Sequence, residues 1–318
     1  MSKYTDHPLS FEGLKTVPIE ARGGKVQVQQ FARPYVKGEG VAGLVESLPA
    51  ILAADSFRGV IDALRKARAN KSAILWGMGG HVIKCGLGDV LNSLVGRGWV
   101  TGWVMNGAAS IHDFEIAIAG QTSEDVEAVL PDGRFGAAEE TGREMNVAIR
   151  EGVRDGIGMG EALGRRLETL ARPEFAGHSV LAAAYKNSIP VTVHVAVGTD
   201  TPHTHPQADG AAIGAATHHD FRLLCSLVRK LNGGGVYLNV GSAVVLPEVF
   251  LKAVSVVRNL GHPLADFTTV NLDFLQHYRP NLNVVQRPHV QSGGQGFALT
   301  GHHELMIPLL AAALIESD

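Results

Sequence analysis

A repeating alternation constrains this chain more than any other feature. Short apolar runs stop at glycine or asparagine, and segments with helical periodicity separate them. The run at 72–77 closes at Gly79-Gly80, and the run at 100–105 stops at Asn106-Gly107. Runs at 190–197, 236–240 and 267–272 repeat the pattern. Helical patterns lie between them at 47–70, 83–95, 179–186, 220–231 and 247–260. A pair within 139–170 divides near Gly156 and Gly160, and 303–315 follows the last run. Short, mostly apolar runs suit strands covered on both faces, and the intervening helices provide parallel crossovers. The expectation is an α/β fold, a doubly wound and mostly parallel sheet of Rossmann-like type. Residues 1–318 read as a single α/β domain. Residues 1–40, polar and broken by Gly23, Gly24, Pro34, Gly38 and Gly40, read as an extended N-terminal arm that wraps a neighbour.

Sheets of this kind bind ligands at the carboxyl ends of their strands. The candidate loops are therefore 78–81, 106–113, 198–210, 241–242 and 273–301. Composition narrows the partners. The net charge is −3, with Lys+Arg 28 against Asp+Glu 31 and no basic block, which excludes nucleic acid as the main partner. No apolar run is long enough to span a membrane, and residues 1–10 lack the apolar segment of a signal peptide. Cys85 and Cys225 read as reduced core thiols, Trp76, Trp99 and Trp103 as core, and the protein as cytoplasmic.

Gly77-Met-Gly-Gly80 lies between a strand and a helix, where small residues let a phosphate approach backbone N–H groups. Asn106-Gly-Ala-Ala-Ser-Ile-His-Asp113 occupies the next strand end, with Asp113 either a ligand group or a helix cap. Gly241 and Ser242 follow the 236–240 strand as candidate ligand contacts. The densest polar stretch is 198–210, with His203, His205 and Asp209, followed by His218, His219 and Asp220. It reads as a substrate loop whose acid/base pool is His112, His203, His205 and His219 with Asp209. The alternative is a metal-dependent hydrolase holding zinc or iron at His203, His205, His218 and His219. A third reading is a non-catalytic nucleotide-binding protein.

Four segments, in order, resemble the deoxyhypusine synthase family: Ala184-Tyr-Lys-Asn-Ser-Ile-Pro-Val191, Asp220-Phe-Arg-Leu-Leu224, Asn232-Gly-Gly-Gly-Val236 and Glu304-Leu-Met-Ile-Pro-Leu-Leu310. The resemblance implies an NAD-binding fold, a homotetramer with shared sites, and a small amine as substrate. It also implies cofactor contacts at Gly79, Gly80 and His81, at Asn106, Gly107 and Ala108, at Asp113, and at Thr199-Asp200 or Asp209-Gly210. The family's catalytic lysine is missing. Residues 277–289 stand in its place without a lysine, and the last lysine in the chain is Lys252. An imine needs a primary amine that arginine cannot replace. The expectation is therefore a divergent NAD-binding enzyme acting on a small polar or amine substrate, not deoxyhypusine synthesis.

Overall fold

The computed structural model describes residues 2–317. Six strands form one sheet: β1 (Ile74–Met78), β2 (Gly102–Asn106), β3 (Val191–His194), β4 (Val236–Val240), β5 (Thr268–Asp273) and β6 (Gln295–Thr300). Their order is β3-β2-β1-β4-β5-β6, and every neighbouring pair is parallel. The helices are α1 (Gly40–Ser47), α2 (Leu52–Ala69), α3 (Gly80–Lys84), α4 (Gly88–Val95), α5 (Gly107–Ala119), α6 (Val126–Val129), α7 (Glu139–Arg154), α8 (Met159–Leu170), α9 (Val180–Lys186), α10 (Gly210–Arg229), α11 (Val245–Asn259), α12 (Tyr278–Pro280) and α13 (His303–Ile315).

Alternate residues of the apolar strands feed two cores, as the period of two requires. Ile74, Trp76, Met78, Leu238 and Val270 join one core with Leu64 of α2, Leu91 of α4, Phe114 of α5 and Leu310 of α13. Leu75, Val104 and Tyr237 join the other with Leu224 of α10 and Phe250 of α11. All three tryptophans are buried, and Trp76 Nε1 donates to the Trp99 carbonyl at 3.1 Å. Each such side chain contributes on the order of 2–3 kcal/mol through burial.

The sheet matches the sequence expectation, with four local differences. The 273–301 loop contains β6, an edge strand with Gln295 and Ala298 exposed, so it carries no continuous apolar run. The 83–95 helix is two helices, interrupted at Gly86, whose φ is +73°. The 106–113 loop is helical from Gly107 because Asn106 caps it, its side chain accepting from the Ala109 N–H at 2.9 Å. Helix α10 begins at Gly210 rather than at residue 220, because Asp209 accepts from the Ala211 and Ala212 N–H groups.

Asp220 fastens α8 to β3. Its carboxylate accepts from the Gly160 N–H at 2.9 Å and the Val193 N–H at 2.8 Å, and burial pushes its pKa up to about 7. Below about pH 4 the carboxyl is protonated in both the folded and unfolded chain, so it adds no pH dependence. As pH rises towards 7 the unfolded chain releases the proton first, so this group lowers stability with rising pH, by up to about 4 kcal/mol. Urea unfolding between about pH 4 and 8 should show that slope. Asp220→Asn should flatten it; an unchanged slope would assign it elsewhere.

Residues 2–39 are an extended arm with two short turns, Ile19–Ala21 and Val28–Gln30. The arm is less polar than expected, since Leu9, Phe11, Ile19 and Val28 are exposed on it. The chain just beyond it is tied to the body by Glu316, which accepts from the Val41 and Ala42 N–H groups.

Candidate functional site

The strand order reverses between β1 and β4, and the turns leaving these strands touch. The Gly79 N–H donates to the Val240 carbonyl at 2.9 Å, and a Cβ on Gly79 would sit 2.1 Å from the Gly241 carbonyl oxygen. Gly241 has a φ of +65°, which favours glycine, and its N–H donates to the Leu272 carbonyl at 3.1 Å. A Cβ on Gly80 would lie 2.9 Å from Ala108 Cβ and 3.0 Å from His112 Cδ2. A Cβ on Gly107 would lie 2.1 Å from Asp200 Oδ2. Small residues thus let the β1, β2 and β4 turns and the Asp200 carboxylate close on one another.

Several residues singled out from the sequence meet here. Asp200 accepts from the Ala196 N–H at 3.0 Å, and burial pushes its carboxyl above the usual range. The charge of His203 opposes that shift, which places this imidazole in electrostatic reach of Asp200. Thr199 donates its hydroxyl to the Ala196 carbonyl and so shapes the same turn. His112 Nδ1 lies 2.7 Å from Thr122 Oγ1, and that hydroxyl donates to Glu115. Burial opposes Glu115 ionisation, but hydrogen bonding from His112, Thr122 and Thr141 outweighs it and holds the carboxyl below its usual range.

Other candidates are employed elsewhere. Asp113 is fully buried and caps α9, accepting from Ser179 Oγ and from the Val180 and Leu181 N–H groups at 2.6, 2.7 and 2.9 Å. Its oxygens face α9, so it does not serve as a cofactor contact. Ser242 Oγ accepts from the Leu246 N–H at 3.2 Å and is buried at the start of α11. Asp209 is the α10 cap described above, its Oδ1 accepting from both amides. His205 joins Glu139 of α7 at 3.0 Å. His219 lies 3.9 Å from Asp220 Oδ1, beside the start of α8, and His218 is exposed on α10. His203, His205, His218 and His219 do not gather as a ligand set among the described residues, so the zinc or iron reading at these four is not supported.

Sequence reasoning missed a second cluster, at the ends of β1, β5 and β6. His303 is fully buried, its Nε2 3.3 Å from the Leu272 carbonyl and 3.7 Å from Asp273 Oδ1. The His81 ring lies 5.4 Å from His303 and 5.8 Å from Phe274. Cys85 and Glu304 flank His81. The available signal was Gly301-His-His-Glu304 at a strand-to-helix junction.

The lysine-free stretch 277–289 forms α12 and the turns Asn281–Gln286 and Arg287–His289, on the side of β5 and β6. Leu238 stands where the resemblance places a lysine after the glycine turn, and Asn239 where it places a histidine. Asn239 Nδ2 donates to Asn271 Oδ1 at 2.8 Å and to the Ser242 carbonyl at 2.9 Å. Lys252 pairs with Glu248 on α11.

The sequence matches no protein-family model and no curated protein. The structure is similar to solved folds. A candidate deoxyhypusine synthase from Entamoeba histolytica aligns with a TM-score of 0.52 and 15% identity over 90% of this chain and 96% of that one. A conserved candidate LOR/SDH protein from Methanococcus maripaludis S2 gives 0.52 and 14% over 84% and 71%. AgrE, in a ternary complex with ornithine and NAD+, gives 0.50 and 16% over 82% of this chain but only 33% of that longer one. This chain shares the α/β fold of these proteins, including that of the deoxyhypusine synthase.

Proposed function

We propose that this chain is an NAD-binding enzyme that acts on a small polar or amine-bearing substrate in the β1–β4 crevice, and that it does not synthesise deoxyhypusine. The observation that carries this reading is the parallel order β3-β2-β1-β4-β5-β6. It places the topological switch at the contact between Gly79 and Gly241, and dinucleotides bind at such a switch. AgrE, solved with ornithine and NAD+, supports the same pairing of nucleotide and amine.

The residues suit the cofactor. Gly80 and His81 offer backbone at the start of α3 for a pyrophosphate, Gly79 brings that turn against Gly241, and Asn106, Gly107, Ala108 and Gly241 keep the floor free of bulky side chains. The Asp200 carboxylate over Gly107 disfavours a phosphate at α5 and suits an ammonium or a ribose hydroxyl instead. NAD supplies a hydride acceptor when bound. His112, held by Thr122, and His203, beside Asp200, are the groups placed to move a proton. With no amine in 277–289, the chain has no nucleophile there to form an imine.

Isothermal titration of untagged protein with NAD+, NADH and NADP+ should show saturable nucleotide binding. A panel of small amines and alcohols should then give nicotinamide reduction. Absence of nucleotide binding would refute the reading, whereas binding without turnover would leave a nucleotide-binding protein. The exposed apolar residues of the arm suit contact with a second copy, and sedimentation should show an oligomer, a tetramer by the resemblance.

A further inference from the structure

We propose that His81, Cys85 and Glu304 form a binding site for a divalent transition ion of the zinc class, placed at the carboxyl ends of the strands and not at the 198–219 histidines. The three side chains present one ligand atom each, all within 4.8 Å of one another. His81 and Cys85 are four residues apart at α3 and its C-terminal boundary, which puts them on one face. Glu304 enters from the first turn of α13, which follows β6.

The separations decide between an accidental polar contact and a ligand set. An ion bound to sulfur at about 2.3 Å and to nitrogen or oxygen at about 2.1 Å, in tetrahedral geometry, sets neighbouring donors about 3.6 Å apart. Here His81 Nε2 lies 3.4 Å from Cys85 Sγ, and Cys85 Sγ lies 3.7 Å from Glu304 Oε2. Both separations to the sulfur match that spacing, and the third pair, His81 with Glu304, lies within 4.8 Å, so a small rotation of either exposed side chain completes the set. Imidazole, thiolate and carboxylate together suit a borderline ion, and hard magnesium or calcium would be excluded by the sulfur.

The surroundings supply a partner for the carboxylate and ring contacts for the imidazole. His302 Nδ1 lies 3.8 Å from the other carboxylate oxygen, Glu304 Oε1, where it can orient that group. The His303 ring packs edge-on against His81 at 5.4 Å, and the Phe274 ring packs near both. Three protein donors leave at least one coordination position free, as in sites where a metal holds water or a substrate atom. His81 and Glu304 are exposed and Cys85 is half-buried, so an ion and a small ligand can reach the position. His81 also follows Gly80, so the ion would sit beside the nucleotide crevice.

Cobalt(II) titration into dialysed, untagged protein, without nucleotide, tests this independently of NAD binding. The expected result is one equivalent bound, with a thiolate-to-cobalt charge-transfer band. Cys85→Ser should abolish the band, and Cys225→Ser should keep it. Glu304→Gln should weaken binding by roughly tenfold or more while the far-ultraviolet spectrum and melting curve stay unchanged. No band in the parent protein, a band surviving in Cys85→Ser, or unchanged affinity in folded Glu304→Gln would each overturn the proposal.

Discussion

Asp113→Ala is expected to destabilise the fold by about 4 kcal/mol, since each buried donor left without an acceptor costs on the order of 1–3 kcal/mol. Three donors depend on this carboxylate: the Ser179 hydroxyl and the Val180 and Leu181 N–H groups. Burial pushes the Asp113 pKa up to about 6, but those three hydrogen bonds oppose the shift. The residue lies in the core between α5 and the start of α9, away from the crevice, so the loss falls on stability. For a chain of this size the melting temperature should drop by about 6 °C. Asp113→Asn, which keeps one acceptor oxygen, should fall between the two. Thermal unfolding checks this, and a change below about 1 kcal/mol would show that the capping contacts contribute little.

The second large effect separates two glycines. Gly79→Ala would place a methyl 2.1 Å from the backbone oxygen of Gly241, and only a shift of the β1 or β4 turn can relieve it. Gly79 has a φ of −88°, so the cost is steric and not conformational. Moving either turn by the required ångström reshapes the floor of the crevice, and nucleotide affinity should fall by about a hundredfold, equivalent to about 2.7 kcal/mol. Gly107→Ala meets the Asp200 carboxylate, the end of a side chain that can rotate away. That variant should lower nucleotide affinity less, by about tenfold or about 1.4 kcal/mol, because its methyl displaces a side chain and not a turn, and it should weaken an amine substrate as Asp200→Asn should. Equal nucleotide affinities for the two variants would mean that the crevice floor is not where the cofactor lies.

The framework of the fold was readable because short, mostly apolar strands and amphipathic helices leave strong periodic signals. The strand Val236–Val240 and the helix His303–Ile315 fall where the pattern puts them. The edge strand β6 was not, because Gln295, Gly296 and Ala298 give it no apolar run and one side faces solvent. The candidate site reads from the sequence as a set of loops but not as a set of side chains. Asp113, Asp209 and Ser242 each sit at a strand end or loop with a polar group, and the sequence does not distinguish an oxygen aimed at a ligand from one aimed at helix N–H groups. The structure does, since all three accept from backbone amides. The histidine-dense stretch drew attention by number, yet His205 and His219 are directed to Glu139 and to the start of α8. His81 and His303 are far apart in sequence and adjacent only because β1 and β5–β6 deliver them to one edge of the sheet.

The account rests on a dinucleotide lying across the β1–β4 switch. A crystal structure of the protein with NAD+ tests it most directly. The account requires the pyrophosphate against the backbone of Gly80 and His81, with Asn106–Ala108 and Gly241 beneath the cofactor. A nucleotide bound anywhere else, or none at saturating concentration, would contradict it.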